Sequence, residues 1–159
     1  MSTVFAKLNL KDHKQIVVLN SPGSFESELA ALKGVEILRD LKKANEVTFS
    51  LAFVTTQEQV NALAPAIARK AEGDAILWFA YPKGTSKKYK SQVARDHGWN
   101  ALGQQDFEPV RMVAIDEDWS AKRFRRAAFI KNMTRAKKYR LTERAKSRPA
   151  KTPHRSPRG

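Results

Sequence analysis

Ala75-Ile76-Leu77-Trp78-Phe79-Ala80-Tyr81 is apolar at every position and ends at Pro82. Unbroken apolarity over that length suits a central strand covered on both faces, the position strands take inside a parallel sheet. Such a strand needs parallel neighbours and helices above and below it, and the rest of the chain offers both.

Glu72-Gly73-Asp74 leads into this stretch, and upstream of it Val47 to Val54 reads as another long strand. Between them, Thr55 and Glu58, and equally Thr56 and Gln59, have capping-box spacing, so a helix starts there. Val60, Leu63, Ala64 and Ile67 form its apolar face. Pro65 conflicts with one straight helix, because it lacks an N–H and clashes with the preceding turn. A kink or a restart at Pro65 resolves the conflict. Further back, Gln15 to Leu19 is a β-branched strand ended by the turn Asn20-Ser21-Pro22-Gly23. Ser24 is placed to cap a helix with Glu26 and Glu28 in its first turn, Phe25, Leu29 and Leu32 as its stripe, and Gly34 as its stop. Val35 to Leu38 follows as a short strand, then the polar Lys42-Lys43-Ala44-Asn45. Downstream, Ser91 to Gln104 reads as a helix weakened by Gly98 and Gly103. Val110 to Ile115 is a strand, and Ala121 to Arg126 a closing one. This alternation predicts a three-layer α/β domain with a mostly parallel sheet.

Charge divides the chain. From Met1 to Ser120 there are 15 Lys plus Arg against 15 Asp plus Glu; from Ala121 to Gly159 there are 15 against one, Glu143. The whole net charge of +14 therefore lies in the final segment. Three units follow: a domain over 1–126, a basic helical extension over 127–147, and a basic Pro-rich tail over 148–159, expected to be disordered. The chain has no cysteine, which excludes disulfides, thiolate nucleophiles and Cys-based metal sites. His13, His97 and His154 show no metal-ligand spacing, so no metal is expected. No signal-peptide pattern opens the sequence and no apolar run reaches the ~20 residues that span a bilayer. The expectation is a soluble cytoplasmic protein with no membrane partner.

Ligands of open α/β sheets sit beyond the carboxyl ends of the strands. After the first strand the chain offers only Asn20-Ser21-Pro22-Gly23-Ser24, with one glycine and a proline that removes a donor. There is no G-x-G-x-x-G and no Walker A motif, so no cofactor is expected. Asp40 follows the second strand where a ribose-binding acid would lie, but a lone Asp in a polar loop is usually just solvated. The loop after the central strand is richer: Lys83, Thr85, Ser86, Lys87 and Lys88, with Tyr89 and Lys90, at a ligand-facing edge. A helix N-terminus near Ser91 would add N–H donors for a phosphate. A solvated loop of lysines is the competing reading. Two clusters follow, Arg95-Asp96-His97-Gly98-Trp99 and Asp116-Glu117-Asp118-Trp119-Ser120. An acid–base reading pairs His97 with Asp96 or Asp118. The structural reading makes Trp99 and Trp119 core or rim aromatics and has Asp118 cap a turn or pair with Arg95 or Arg123. No catalytic residue is assigned.

Leu77-Trp78-Phe79-Ala80-Tyr81-Pro82-Lys83, Arg95-Asp96-His97-Gly98-Trp99, and Val113 to Ser120 with Arg123-Phe124 together resemble a family of small bacterial α/β domains known only as a domain of unknown function. The likeness spans roughly Lys14 to Arg126, and its W-x-x-x-P-K and D-W-S-x-x-R-F elements occur in order. The resemblance implies a Rossmann-like fold similar to a methyltransferase core without the cofactor-binding glycine loop. Its pattern positions here are Trp78, Pro82, Lys83, Asp118, Trp119, Ser120 and Arg123. It brings no activity or substrate with it.

The extension Ala127 to Ser147 lacks Gly and Pro and is rich in helix formers. Phe129, Met133 and Ala136 make a short apolar stripe among Lys131, Arg135, Lys137, Lys138, Arg140 and Arg144. Those six cations are the candidate nucleic-acid contacts, since each neutralised phosphate releases a counterion. The main functional expectation is a non-enzymatic domain that binds nucleic acid nonspecifically through this extension. The alternative is a degenerate methyltransferase-like enzyme, or a small-ligand or nucleotide binder, using a pocket at the strand ends. Its candidate contacts are Lys83, Thr85, Ser86, Lys87, Lys88, Asp118, Ser120 and Arg123.

Overall fold

The computed structural model describes residues 3–130. A short helix α1 (Thr3–Lys7) is followed by β1 (Gln15–Leu19), α2 (Glu26–Ala30), β2 (Glu36–Leu38), β3 (Val47–Phe53) and α3 (Gln57–Lys70). Then come β4 (Ala71–Pro82), α4 (Asn100–Gln104), β5 (Phe107–Ala114) and β6 (Trp119–Arg126). The strands form one sheet in the order β2-β1-β3-β4-β6-β5. Pairing is parallel from β2 through β4, while β6 runs antiparallel to both of its neighbours. This is the mixed α/β, mostly parallel, Rossmann-like arrangement expected from the alternation.

The central strand shows why its residues are all apolar. Leu77, Phe79 and Tyr81 point into a core with Val60, Ala64 and Ile67 of α3 and Leu102 of α4. Trp78 and Ala80 point into the opposite core, with Phe5 of α1, Leu29 of α2 and Phe53 of β3. Trp78 is fully buried and its indole N–H donates to the Leu8 carbonyl at 2.8 Å, tying the N-terminal segment to the sheet. Burial of a ring this size together with a satisfied N–H makes Trp78 a main anchor of that layer.

Local sequence explains several boundaries. Thr56 caps α3 with the Gln59 box closed in both directions. Pro65 lies inside a single continuous α3, so of the two expected resolutions, a kink or a restart, the restart does not occur, although the Asn61 carbonyl loses its helical partner. Ser24 makes no cap: Gly23–Phe25 is a 3-10 turn leading into α2, and no side chain caps either.

The expected helix over 91–104 is cut down to α4. Gly98 adopts φ +101°, and a Cβ there would sit 2.5 Å from Val93 Cγ1. The chain doubles back ahead of it, with Ala94 and His97 exchanging backbone hydrogen bonds of 3.0 and 3.3 Å. The Trp99 indole N–H pins the turn on the Ala94 carbonyl at 2.7 Å. A helix N-terminus beside Ser91 is therefore absent, and with it the donors assigned to the lysine loop. The helix α1 has no counterpart among the sequence expectations.

Candidate functional site

The order β2-β1-β3 reverses direction at β1, so the carboxyl ends of β1 and β3 form the switch-point crevice where open α/β sheets usually bind ligands. Here the crevice is occupied by the protein's own groups. Asn20, at φ 59°, donates from its side-chain amide to the Phe53 carbonyl at 3.4 Å, joining the two strand ends. Phe25 packs on Phe53 with centroids 5.0 Å apart. The Phe25 N–H turns back onto the Pro22 carbonyl at 2.9 Å. At the end of β2, Arg39 makes a two-pronged ion pair with Glu26, whose carboxylate also accepts from the Ser21 hydroxyl. These bonds hold the Glu26 carboxyl below its ordinary pKa and the Arg39 guanidinium above its own. Asp40 accepts the Lys42 N–H and caps a 3-10 turn.

A second feature lies at the carboxyl end of β4. The two motif elements of the sequence zip together there, with Leu77 opposite Phe124, Trp78 opposite Arg123, Tyr81 opposite Ser120 and Pro82 opposite Trp119. The pairing continues past the strands, where the Lys83 N–H donates to the Asp118 carbonyl at 2.7 Å. The Ser86 hydroxyl bonds the Asp118 carboxylate at 2.8 Å and accepts the Lys88 and Tyr89 N–H groups. Asp116 in turn accepts the N–H groups of Asp118 and Trp119. The lysine loop is thus a pinned structure, not a free one.

Between that loop, the 91–95 segment and the sheet lies a cavity of about 810 Å³. Lys83, Lys90 and Arg95 line it, together with the hydroxyl side chains of Thr85, Ser86, Ser91 and Ser120. Tyr81, Tyr89 and Met112 contribute the apolar wall. No carboxylate is among these lining residues. The Tyr81 hydroxyl lies 3.7 Å from Met112 Sδ, and burial pushes its pKa up against the opposing pull of Arg95. The phenol therefore stays protonated at neutral pH and spends its donor on Met112 Sδ.

Of the sequence candidates, Lys83, Thr85, Ser86 and Ser120 meet at this cavity, while Lys87 and Lys88 share the loop without lining it. Asp118 anchors the loop from behind through Ser86, and it does not pair with Arg95 or Arg123. Arg123 lies on the opposite face of β6. It is half-buried, its guanidinium donates to the Asn9 side chain at 3.4 Å, and its pKa is pulled down, by burial first. His97 lines a different groove, so the structure does not bring it to Asp118. Lys131, Arg135, Lys137, Lys138, Arg140 and Arg144 lie outside the described residues. Sequence reasoning missed Tyr81 and Met112 as wall residues because each reads as strand interior. Arg95 was noted within its cluster and as a partner for Asp118, not as a ligand contact.

Among the described residues no group of His, Asp or Glu side chains is placed to hold a metal ion, and no helix is long and apolar enough to cross a membrane.

No protein-family model and no curated protein sequence matches the chain. Solved structures do. A SAM-dependent methyltransferase from Aquifex aeolicus is similar with a TM-score of 0.53 at 14% identity, over 77% of this chain and 87% of that one. The N-methyltransferase NodS from Bradyrhizobium japonicum WM9 has a TM-score of 0.48 at 14% identity, over 79% of this chain and 81% of that one. The first likeness corrects the main functional expectation. The body has the methyltransferase-like fold on which the alternative reading rests. The chain has a Rossmann-like fold of the kind found in SAM-dependent methyltransferases.

Proposed function

We propose that this chain is a degenerate methyltransferase-like domain that binds a small phosphate-bearing ligand in the cavity at the carboxyl end of β4. The observation that carries the reading is the convergence of Lys83, Lys90 and Arg95 on one cavity that no carboxylate lines. None of the three makes an ion pair among the described residues. A cavity of about 810 Å³ falls within the roughly 300–1,000 Å³ of small-molecule sites. Hydrogen bonds to a charged partner contribute about 1.5–3 kcal/mol each, and an Arg can grip a phosphate with two parallel bonds.

The S-adenosyl group that the fold suggests does not fit the residues present at the usual crevice. The loop after β1 has its one glycine at Gly23, where an added Cβ would meet nothing within 4 Å, so no close backbone approach is built there. Pro22 has no N–H, the Phe25 N–H is already spent on Pro22, and the Arg39–Glu26 pair ties the loop's helix to the end of β2. The ligand role therefore moves to the β4 end, where the two resemblance motifs meet. That register also supports grouping the chain with the small bacterial domains its sequence resembles.

A thermal-shift panel of inorganic phosphate, pyrophosphate, nucleoside mono- and diphosphates and S-adenosylmethionine tests the reading. A ligand at 100 times its Kd adds about 2.7 kcal/mol of stability. We expect phosphate-bearing compounds to raise Tm and Arg95→Ala with Lys83→Ala to abolish the rise. A rise with S-adenosylmethionine that survives both substitutions overturns it.

A further inference from the structure

We infer that the groove between α3 and α4 is a second binding site, one that takes an uncharged nucleobase. Five of the chain's twelve carboxamides line this one groove, namely Gln57 and Asn61 from α3 with Asn100, Gln104 and Gln105 from α4 and the residue after it. They fall there by helical periodicity. Gln57 and Asn61 are four residues apart on one face of α3, as are Asn100 and Gln104 on α4, and the two faces meet. His97 adds an imidazole, while Pro65 and Ala101 give the apolar floor. No Lys, Arg, Asp or Glu lines the groove, in a chain of which 29% is charged.

The chemistry of the lining selects the ligand class. A carboxamide presents an acceptor and a donor side by side, the pattern that matches the edge of a base through paired hydrogen bonds. A flat imidazole suits a planar ring laid against it. A charged ligand would find no counter-ion here, and a phosphate has its own cavity elsewhere.

The groove is also held open. The Gln57 amide donates to Asn61 Oδ1 at 3.0 Å and to the Gly98 carbonyl at 2.8 Å, which fixes those two side chains. Asn61 keeps its amide N–H groups for another acceptor. Asn100 and Gln104 are exposed and, with the half-buried Gln105, line the same space of about 460 Å³.

The site stands apart from the cationic cavity, yet one turn serves both: Ala94–His97 presents Arg95 to the cavity and His97 to the groove. Titration with adenosine, guanosine, cytidine and uridine, which carry no phosphate, tests the inference by isothermal calorimetry and amide chemical shifts. We expect at least one nucleoside to saturate and to shift the signals of Gln57, Asn61 and Gln104. Asn61→Leu and Gln104→Leu, both compatible with a helix, are expected to weaken that binding at least tenfold while leaving phosphate binding unchanged. Lys83→Ala is expected to do the reverse, so failure of this site and failure of the cationic cavity are separable. Absence of saturation by any nucleoside, saturation by a neutral sugar in their place, or nucleoside affinity unchanged in both Leu variants overturns the inference.

Discussion

The Lys83 N–H donates to the Asp118 carbonyl at 2.7 Å, fastening two sequence elements that lie 35 residues apart. With Ser86 bonded to the Asp118 carboxylate, the bond turns a lysine-rich loop into the wall of a cavity. Ser86→Ala leaves the Lys88 and Tyr89 N–H groups without their acceptor and the Asp118 carboxylate without its donor. We expect a loss of about 1.5–3 kcal/mol, the worth of the hydrogen bond to the charged carboxylate alone, with the two N–H groups adding to it. Binding of phosphate should weaken by a similar factor in titration calorimetry, since a loosened loop pays ordering entropy on binding.

Trp78 couples the N-terminal segment to the sheet through the Leu8 carbonyl. Trp78→Ala should destabilise the domain by about 3–5 kcal/mol, and Trp78→Phe by less, in urea denaturation. The Phe variant still leaves a buried carbonyl without its donor.

Gly98 is required by conformation and by space. At φ +101° any Cβ is strained, and one placed there falls 2.5 Å from Val93 Cγ1. Gly98→Ala is expected to cost more than 1 kcal/mol. Combining it with Val93→Ala should recover less than the full loss, because only the clash and not the backbone strain is relieved. Thermal melts of the three variants check the difference.

What could be read in advance follows a physical division. The run from Ala75 to Tyr81 announced a two-sided strand because each successive side chain enters a different core. The Thr56–Gln59 box announced α3 because capping is a local interaction. The segment 91–104 misled because its outcome depends on contacts beyond it, namely Val93 against Gly98 and the Trp99 indole on Ala94. The site was half legible for the same reason. Lys83 and Ser120 carried chemistry in their residue types, whereas Tyr81 and Met112 join them only through the pairing of β4, β6 and β5.

His13 supplies a pH dependence with a defined sign. Its ring packs edge-on to Phe49 with centroids 5.4 Å apart, and its Nδ1 accepts the Lys11 N–H at 3.3 Å. Burial lowers its pKa below the ordinary imidazole value of 6.5, against a smaller opposing pull from Asp12. The folded state thus binds a proton less readily than the unfolded chain. The stability this contributes is full above pH 6.5 and is lost as pH falls through the lowered folded pKa. An NMR titration of His13 should give a midpoint below 6.5, and His13→Phe should flatten the fall in Tm between pH 7 and pH 5.

We propose that the ligand sits at the end of β4 and not at the β1–β3 crevice. An NMR titration of inorganic pyrophosphate into the full chain, read at the backbone amides, tests it most directly. We expect saturable shifts over Lys83 to Ser91, at Arg95 and at Ser120, with the amides of Asn20 to Phe25 unmoved. Shifts concentrated at Asn20 to Phe25 and Asp40, with the Lys83 loop silent, would contradict it.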